Sequence, residues 1–267
     1  MRTLKELSSL DGRTALVTGG AGHIGSAVAG GFAELGADLI LLDMDESACR
    51  EKAAVIERRW GVKADCAALD LEKLSDADDI AGRLTGGLER LDILVNCAAF
   101  VGTTKLEGWN APFGEQSAET WRRAVEVNLT APFILTKALA PLLRASGHGS
   151  VINFGSIYGL LGQVPSIYDG TDMHNAAAYG AAKAGLLQLT RWLATTLAPS
   201  VRVNSITPGG VERGQPVCFQ DNYRNRVPLG RMATEEDMKG AAAYLASDLS
   251  LYVTGQNIIV DGGWSAW

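Results

Sequence analysis

Tyr179 and Lys183 stand four residues apart in the stretch YGAAK. At that spacing both side chains lie on one face of a helix. An ammonium group beside a phenol favours the phenolate and lowers its pKa from about 10. A tyrosine so placed can serve as a general acid or base nearer neutrality. The same spacing also suits an ordinary solvated helix. None of the other five tyrosines (Tyr158, Tyr168, Tyr223, Tyr244, Tyr252) has a lysine four residues later.

A second constellation is TGGAGHIG, Thr18 to Gly25, directly after the apolar run Ala15-Leu16-Val17. Glycine in a turn from strand to helix lets the backbone approach a phosphate closely. The free N–H groups and dipole of the helix that follows favour an anion such as a pyrophosphate. Asp43 ends the next apolar run, where a carboxylate would accept hydrogen bonds from an adenosine ribose diol. Its charge would repel a 2′-phosphate, and no Arg or Lys lies in the loop or next to Asp43. The predicted cofactor is therefore NAD rather than NADP.

The elements that must position these residues alternate along the chain. Strand-like runs are Thr14–Thr18, Asp38–Asp43, Ile93–Asn96, Ser150–Phe154, Val201–Ile206 and Asn257–Val260, with a weaker one near Val62–Leu69. They are apolar on consecutive positions, the pattern of strands buried on both faces of a parallel sheet. Ile24–Leu35, followed by Gly36, and Ala176–Leu197, ending before Pro199, read as helices. The predicted fold is α/β, a Rossmann-type doubly wound parallel sheet of about seven strands with helices on both faces. No linker, repeat or low-complexity segment divides the 267 residues, so one domain over 1–267 is expected.

The composition, 47% hydrophobic and 20% charged with a net charge of -6, is that of a globular protein without a basic nucleic-acid footprint. No secretory leader is apparent in MRTLKELSSLDGR, and no apolar run approaches the ~18 residues of a membrane span. Cys49, Cys66, Cys97 and Cys218 form no CxxC pair, and His23, His148 and His174 are scattered. Neither a metal site nor a disulfide framework is predicted. The expected setting is the cytoplasm, with no nucleic-acid or membrane partner.

Taken together, TGGAGHIG, Asp43, Asp70-Leu71, NCAA (Asn96 to Ala99), Asn128, Ser156, Tyr179/Lys183, Pro208-Gly209 and the terminal VDGGWSAW (Val260 to Trp267) resemble the short-chain dehydrogenase/reductase family in its compact form. The pieces occur in the family's order and span nearly the whole chain. The resemblance implies that Tyr179 is the acid/base on the substrate oxygen and that Ser156 positions that oxygen. Lys183 would lower the tyrosine pKa and hold the nicotinamide ribose. Asn128 would help keep a water in a proton relay. Gly19, Gly22, His23, Ile24 and Gly25 would form the pyrophosphate loop, with His23 either touching a phosphate or facing solvent. Asp70 and Leu71 would sit at the adenine. Asn96 and Ala98 would line the cofactor, and Pro208, Gly209 and Val211 would lie against the nicotinamide. The implied reaction interconverts a secondary alcohol and a ketone, in a homotetramer or homodimer.

The chain departs from the family in several places. The spacing Gly19, Gly22, Gly25 looks like the extended members, many of which act on nucleotide sugars, yet 267 residues leave no room for their substrate domain. Ala99 replaces a usual glycine. Glu212-Arg213 stands where a threonine often follows Pro-Gly. The stretch from Ser156 to Tyr179 is long, and the extra residues 161–175 carry Tyr168, Asp169, Thr171, Asp172, His174 and Asn175. Such a loop either shapes a pocket for a polar, hydroxylated substrate or packs at the surface. This loop, GQPVCF, VPLGRM and the C-terminus are loosely similar to oxidoreductases of bacterial surface-sugar synthesis, which would imply a sugar or sugar phosphate. Residues 211–231, with Arg213, Arg224, Arg226 and Arg231, are either a substrate lid that meets an anion or a solvated face. Two other functions stay open: a nucleotide-sugar epimerase or dehydratase, and a non-catalytic dinucleotide-binding sensor.

Overall fold

Residues 1–75, 79–101 and 106–267 are described by a computed structural model of the chain. Among them, seven strands run parallel in one sheet: β1 (Thr14–Thr18), β2 (Asp38–Asp43), β3 (Ala64–Ala68), β4 (Ile93–Asn96), β5 (Gly149–Phe154), β6 (Val201–Pro208) and β7 (Asn257–Val260). Each predicted strand is present, and the weak run near Val62–Leu69 is β3. The helices are α1 (Leu4–Ser8), α2 (His23–Glu34), α3 (Glu46–Trp60), α4 (Ile80–Thr85), α5 (Ala118–Val125), α6 (Ala131–Ala145), α7 (Ala177–Leu197), α8 (Val217–Arg224) and α9 (Lys239–Ala246).

Consecutive strand residues feed two cores. Ala15, Val17, Leu39 and Leu41 pack on one face of the sheet with α2, α3 and α9. Leu16, Ile40, Leu42 and Leu94 pack on the other with α4, α6 and α7. A strand covered on both faces has no position for a solvated side chain, which is why the apolar runs do not alternate. The fold is a single Rossmann-like domain.

The strand order is β3-β2-β1-β4-β5-β6-β7. From β1 the chain winds outward through β2 to β3, then returns to place β4 on the other side of β1. Adjacent connections that diverge in this way leave a crevice above the carboxyl ends of β1 and β4. The glycine loop leaves β1 at that point, and the segments after β4, β5 and β6 open onto the same rim.

Candidate active site

A cleft of about 920 Å³ occupies this crevice. Gly19, Gly22, His23, Ile24, Gly25, Asp43, Asp70, Leu71, Ala98, Ser156, Tyr179, Lys183, Pro208, Gly209 and Val211 all line it. The structure thus gathers, from Gly19 to Val211, the residues singled out in the sequence, with two exceptions described below.

At one end lies the glycine loop. Gly19 has φ +67°, and a Cβ there would stand 3.0 Å from the backbone of Ala98. A Cβ on Gly25 would fall 2.1 Å from Gly19 O, inside the turn itself. No larger residue fits either place, so the loop can only be this tight with glycine. Gly22 caps α2 without a side chain, leaving the first-turn N–H groups of the helix free of a side-chain acceptor. Thr18 Oγ1 accepts from the backbone of Cys97 and Ala98, both at 3.0 Å, and ties β1 to the segment after β4. A narrow, glycine-walled cradle at a helix N-terminus suits a pyrophosphate.

Asp43 ends β2 with its carboxylate already placed. One oxygen accepts from Ala21 N at 3.0 Å and the other from Met44 N at 2.8 Å. Asp70 caps the short turn Leu71–Lys73 by accepting from Glu72 N at 3.0 Å. The hydrogen-bonded Lys73 ammonium holds the Asp70 carboxyl below the ordinary aspartate value.

At the opposite end, α7 carries Tyr179 and Lys183 on one face. The first turn of α7 is capped from a distance: Gln116 Oε1 accepts from Ala177 N at 3.0 Å, while its Nε2 donates to Ala111 O and Asn175 O. Lys183 is buried and donates from Nζ to Phe154 O at 2.7 Å, with Nζ 5.8 Å from the centre of the Tyr179 ring. Burial pulls its ammonium down to about 8. Ser156, after β5, caps the turn Ile157–Gly159 by accepting from Tyr158 N at 3.2 Å.

Burial raises the Tyr179 phenol above its ordinary value; a hydrogen bond from Ser156 and the charge of Arg213 pull it the other way. Ser156 and Arg213 thus oppose the effect of burial on the phenol.

Two predicted residues do not reach the cleft. Asn96, 2% exposed, lies within the sheet and donates from Nδ2 to Asn153 Oδ1 at 2.8 Å. Its inward alternation along β4 sends the next residue, Cys97, to the cleft in its place. Asn128 is fully buried in a π-helical turn, Glu126–Thr130, and its amide pairs with the backbone of Phe100 at 2.9 and 3.2 Å. Its side chain therefore braces the segment after β4, and Phe100 from that segment lines the cleft.

The residue 161–175 loop is held by hydrogen bonds within itself and to neighbouring segments. Tyr168 meets the Tyr158 hydroxyl at 2.5 Å, Thr171 Oγ1 donates to Tyr168 O, and His174 N donates to Asn110 Oδ1. Asp169 and Asp172 are exposed. The loop residue that lines the cleft is Met173, which carries none of the hydrogen-bonding signal read from the sequence. Of the four arginines in 211–231, Arg224 pairs with Glu212 and Asp221, Arg226 lies over Trp264, and Arg231 pairs with Asp237. Arg213 alone among the four lines the cleft.

Known proteins agree with this architecture. A family model described as enoyl-(acyl carrier protein) reductase matches residues 19–265. The cis-4-hydroxycyclohexanecarboxylate dehydrogenase of Sinomonas cyclohexanicum is 34% identical over 262 residues, covering 95% of this chain and 97% of its own. The NADP-dependent mannitol dehydrogenase of Hypocrea jecorina is 30% identical over 270 residues, covering 98% and 96%. A crystal structure of a gluconate 5-dehydrogenase from Burkholderia cenocepacia in complex with NADP and tartrate superposes with a TM-score of 0.83 at 30% identity, covering 99% of this chain and all of that one. With a family match across nearly all of its length and relatives that align end to end, the chain belongs to the short-chain dehydrogenase/reductase family of oxidoreductases.

Proposed function

We propose that the protein, acting as one domain over its 267 residues, is an NAD(H)-dependent oxidoreductase that interconverts a secondary alcohol and a ketone on a polar, hydroxylated substrate. The observation that carries this reading is the meeting of Ser156, Tyr179 and Lys183 at one end of a cleft whose other end holds the Asp43 carboxylate. A bound nicotinamide dinucleotide would supply the hydride acceptor or donor. The glycine cradle from Gly19 to Gly25 would hold its pyrophosphate, Asp43 its adenosine ribose, and Asp70, Leu71 and Ala98 its adenine side. Pro208, Gly209 and Val211 would flank the nicotinamide.

Tyr179 manages the proton at the substrate oxygen. In oxidation its phenolate takes the hydroxyl proton; in reduction its phenol returns one to the forming alkoxide. Ser156 donates a hydrogen bond to the same oxygen and fixes its position. Lys183 orients the nicotinamide ribose, and its positive charge favours the phenolate once that ribose brings the groups into line. Asn128 acts as a positioning residue through Phe100. A polar substrate class is supported by Asn110 on the cleft wall. The relatives are named for a hydroxylated ring acid, a polyol and a sugar acid, each of which bears a secondary alcohol.

A second reading, use of NADP, draws on the mannitol dehydrogenase named as NADP-dependent and the gluconate dehydrogenase complexed with NADP. Against it stands Asp43, whose carboxylate would meet the 2′-phosphate as a like charge. Absorbance at 340 nm, with NAD and NADP each offered a panel of polyols, aldonic acids and hydroxycyclohexane carboxylic acids, separates the readings. Turnover with NAD that vanishes in Tyr179→Phe while NADH still binds is the expected result. Equal turnover in Tyr179→Phe would overturn the mechanism, and a higher kcat/KM with NADP would overturn the role of Asp43.

A further inference from the structure

Arg213 stands between the two ends of the cleft. Its backbone is held by Gln215, whose Oε1 accepts from Arg213 N at 2.7 Å while its Nε2 donates to Val211 O at 2.9 Å. Val211 in turn bridges to Ala233, and Glu212 N donates to Ala233 O at 2.9 Å. The side chain therefore starts from a fixed point above β6. Its Nε lies 3.7 Å from Glu235 Oε1, and the same oxygen lies 3.4 Å from Nδ1 of His23, the first residue of α2. One carboxylate thus joins Arg213 to the glycine loop. On its other side Arg213 is near enough to act on the Tyr179 phenol and the Cys97 thiol.

The other cations on the cleft wall are committed. Arg123 makes a two-pronged pair with Glu72 at 2.6 and 3.0 Å, and Lys183 is bound to Phe154 O. Among the described residues the Arg213 guanidinium has only its loose contact with Glu235, which is too long for a hydrogen bond. Its side chain is 24% exposed, so it is drawn out of bulk water without a matched acceptor. The glycine loop meanwhile offers backbone N–H groups and a helix dipole but no Lys or Arg side chain. A guanidinium's planar fork matches phosphate oxygens well.

We propose that Arg213 is a pyrophosphate-binding residue, which leaves Glu235 for the phosphate oxygens and closes over the glycine loop from the opposite wall of the cleft. The threonine that family members often carry here offers one neutral hydroxyl, whereas Arg213 adds a charge and several donors. The inference rests on the reading that the cleft takes a dinucleotide.

Isothermal titration calorimetry of the full chain with ADP-ribose, NADH and adenosine tests it. In Arg213→Gln the Kd for ADP-ribose and for NADH rises by roughly 10- to 100-fold, the scale of a lost hydrogen bond to a charged group. Adenosine binding stays within twofold or so, and Arg213→Lys recovers part of the loss. Glu235→Gln, which removes the competing carboxylate but no phosphate contact, binds ADP-ribose at least as tightly as the wild type. An unchanged ADP-ribose Kd in Arg213→Gln, with KM raised only for carboxylate-bearing alcohols, would overturn the proposal and make Arg213 a substrate-anion reader. Equal weakening of adenosine would overturn it as well, by showing a general loss of the cleft. If the wild type itself binds neither ADP-ribose nor NADH, the dinucleotide reading falls first, an outcome distinct from a selective failure of Arg213.

Discussion

The two ends of the cleft are built differently. The dinucleotide end is mostly backbone drawn from one short stretch: the turn from β1 into α2, closed by Asp43 one strand later. The catalytic end is assembled from side chains on α7 and the turn after β5, with α7 capped by the distant Gln116 and Lys183 bonded to Phe154 O. A site made of backbone depends on the absence of Cβ atoms. A site made of side chains depends on the buried groups that orient and charge them. Substitutions at the two ends should therefore fail in different ways, one in binding and the other in turnover.

The largest separation is expected from Tyr179→Phe, which should lower kcat by about 10²- to 10⁴-fold, the usual contribution of a general acid or base. NADH affinity, measured by fluorescence titration, should be preserved. Gly25→Ala should do the reverse. Its Cβ would collide with Gly19 O, so the cradle must open, costing about 1–3 kcal/mol of stability in a denaturant titration and most of the dinucleotide affinity. Retention of wild-type NADH binding in Gly25→Ala would break the distinction between the two ends.

Asp43→Ala should act at the dinucleotide end without touching turnover. Removing a like charge beside a 2′-phosphate is worth between about 1 and 4 kcal/mol, so the ratio of kcat/KM for NAD over NADP should drop roughly tenfold or more. Gln116→Ala sharpens the catalytic side. It strips the cap from α7 and should cost about 1 kcal/mol of stability, with a several-fold loss in kcat and little change in NADH affinity.

The smallest effect concerns pH. Alcohol oxidation needs the Tyr179 phenolate, so its rate falls as pH drops through the phenol's pKa. Burial raises that pKa and Arg213 opposes the rise. Arg213→Gln should therefore move the acid limb of kcat/KM for oxidation to higher pH, by less than about one unit. A shift to lower pH would break the assigned electrostatics.

Much of the fold could be read in advance because a strand buried on both faces must be apolar at every position. Leu39 to Leu42 serve both cores, and so the run declares itself. Ala64–Ala68 signalled weakly because, at the sheet edge, Asp65 and Ala68 are exposed. The residue 161–175 loop was legible only as a polar insertion. Tyr168 and Thr171 use their hydroxyls within the loop, Asp169 and Asp172 are exposed, and it is Met173 that faces the cleft. Nothing in a loop's composition says which side chains its fold turns inward.

Asn96 and Asn128 illustrate the same limit at the site. Both occupy family positions, but direction along β4 sends Asn96 into the sheet, and a π-helical turn places Asn128 against Phe100. Gln116 gave no local signal at all, and nothing local set Arg213 apart from the three other arginines of residues 211–231. Gln116 caps a helix that begins 61 positions later, and Arg213 meets its carboxylate across the cleft.

By itself the sequence determined the alternation of strands and helices, the glycine turn, the acid after β2 and the Tyr179/Lys183 pair. Each follows from steric or periodic rules that act over a few residues. Only the tertiary structure decided which polar groups are consumed in bracing the site, which cation is left loosely paired over the glycine loop, and how burial shifts the phenol and the ammonium. Those are properties of partners and of desolvation, and both are set by residues brought together from distant parts of the chain.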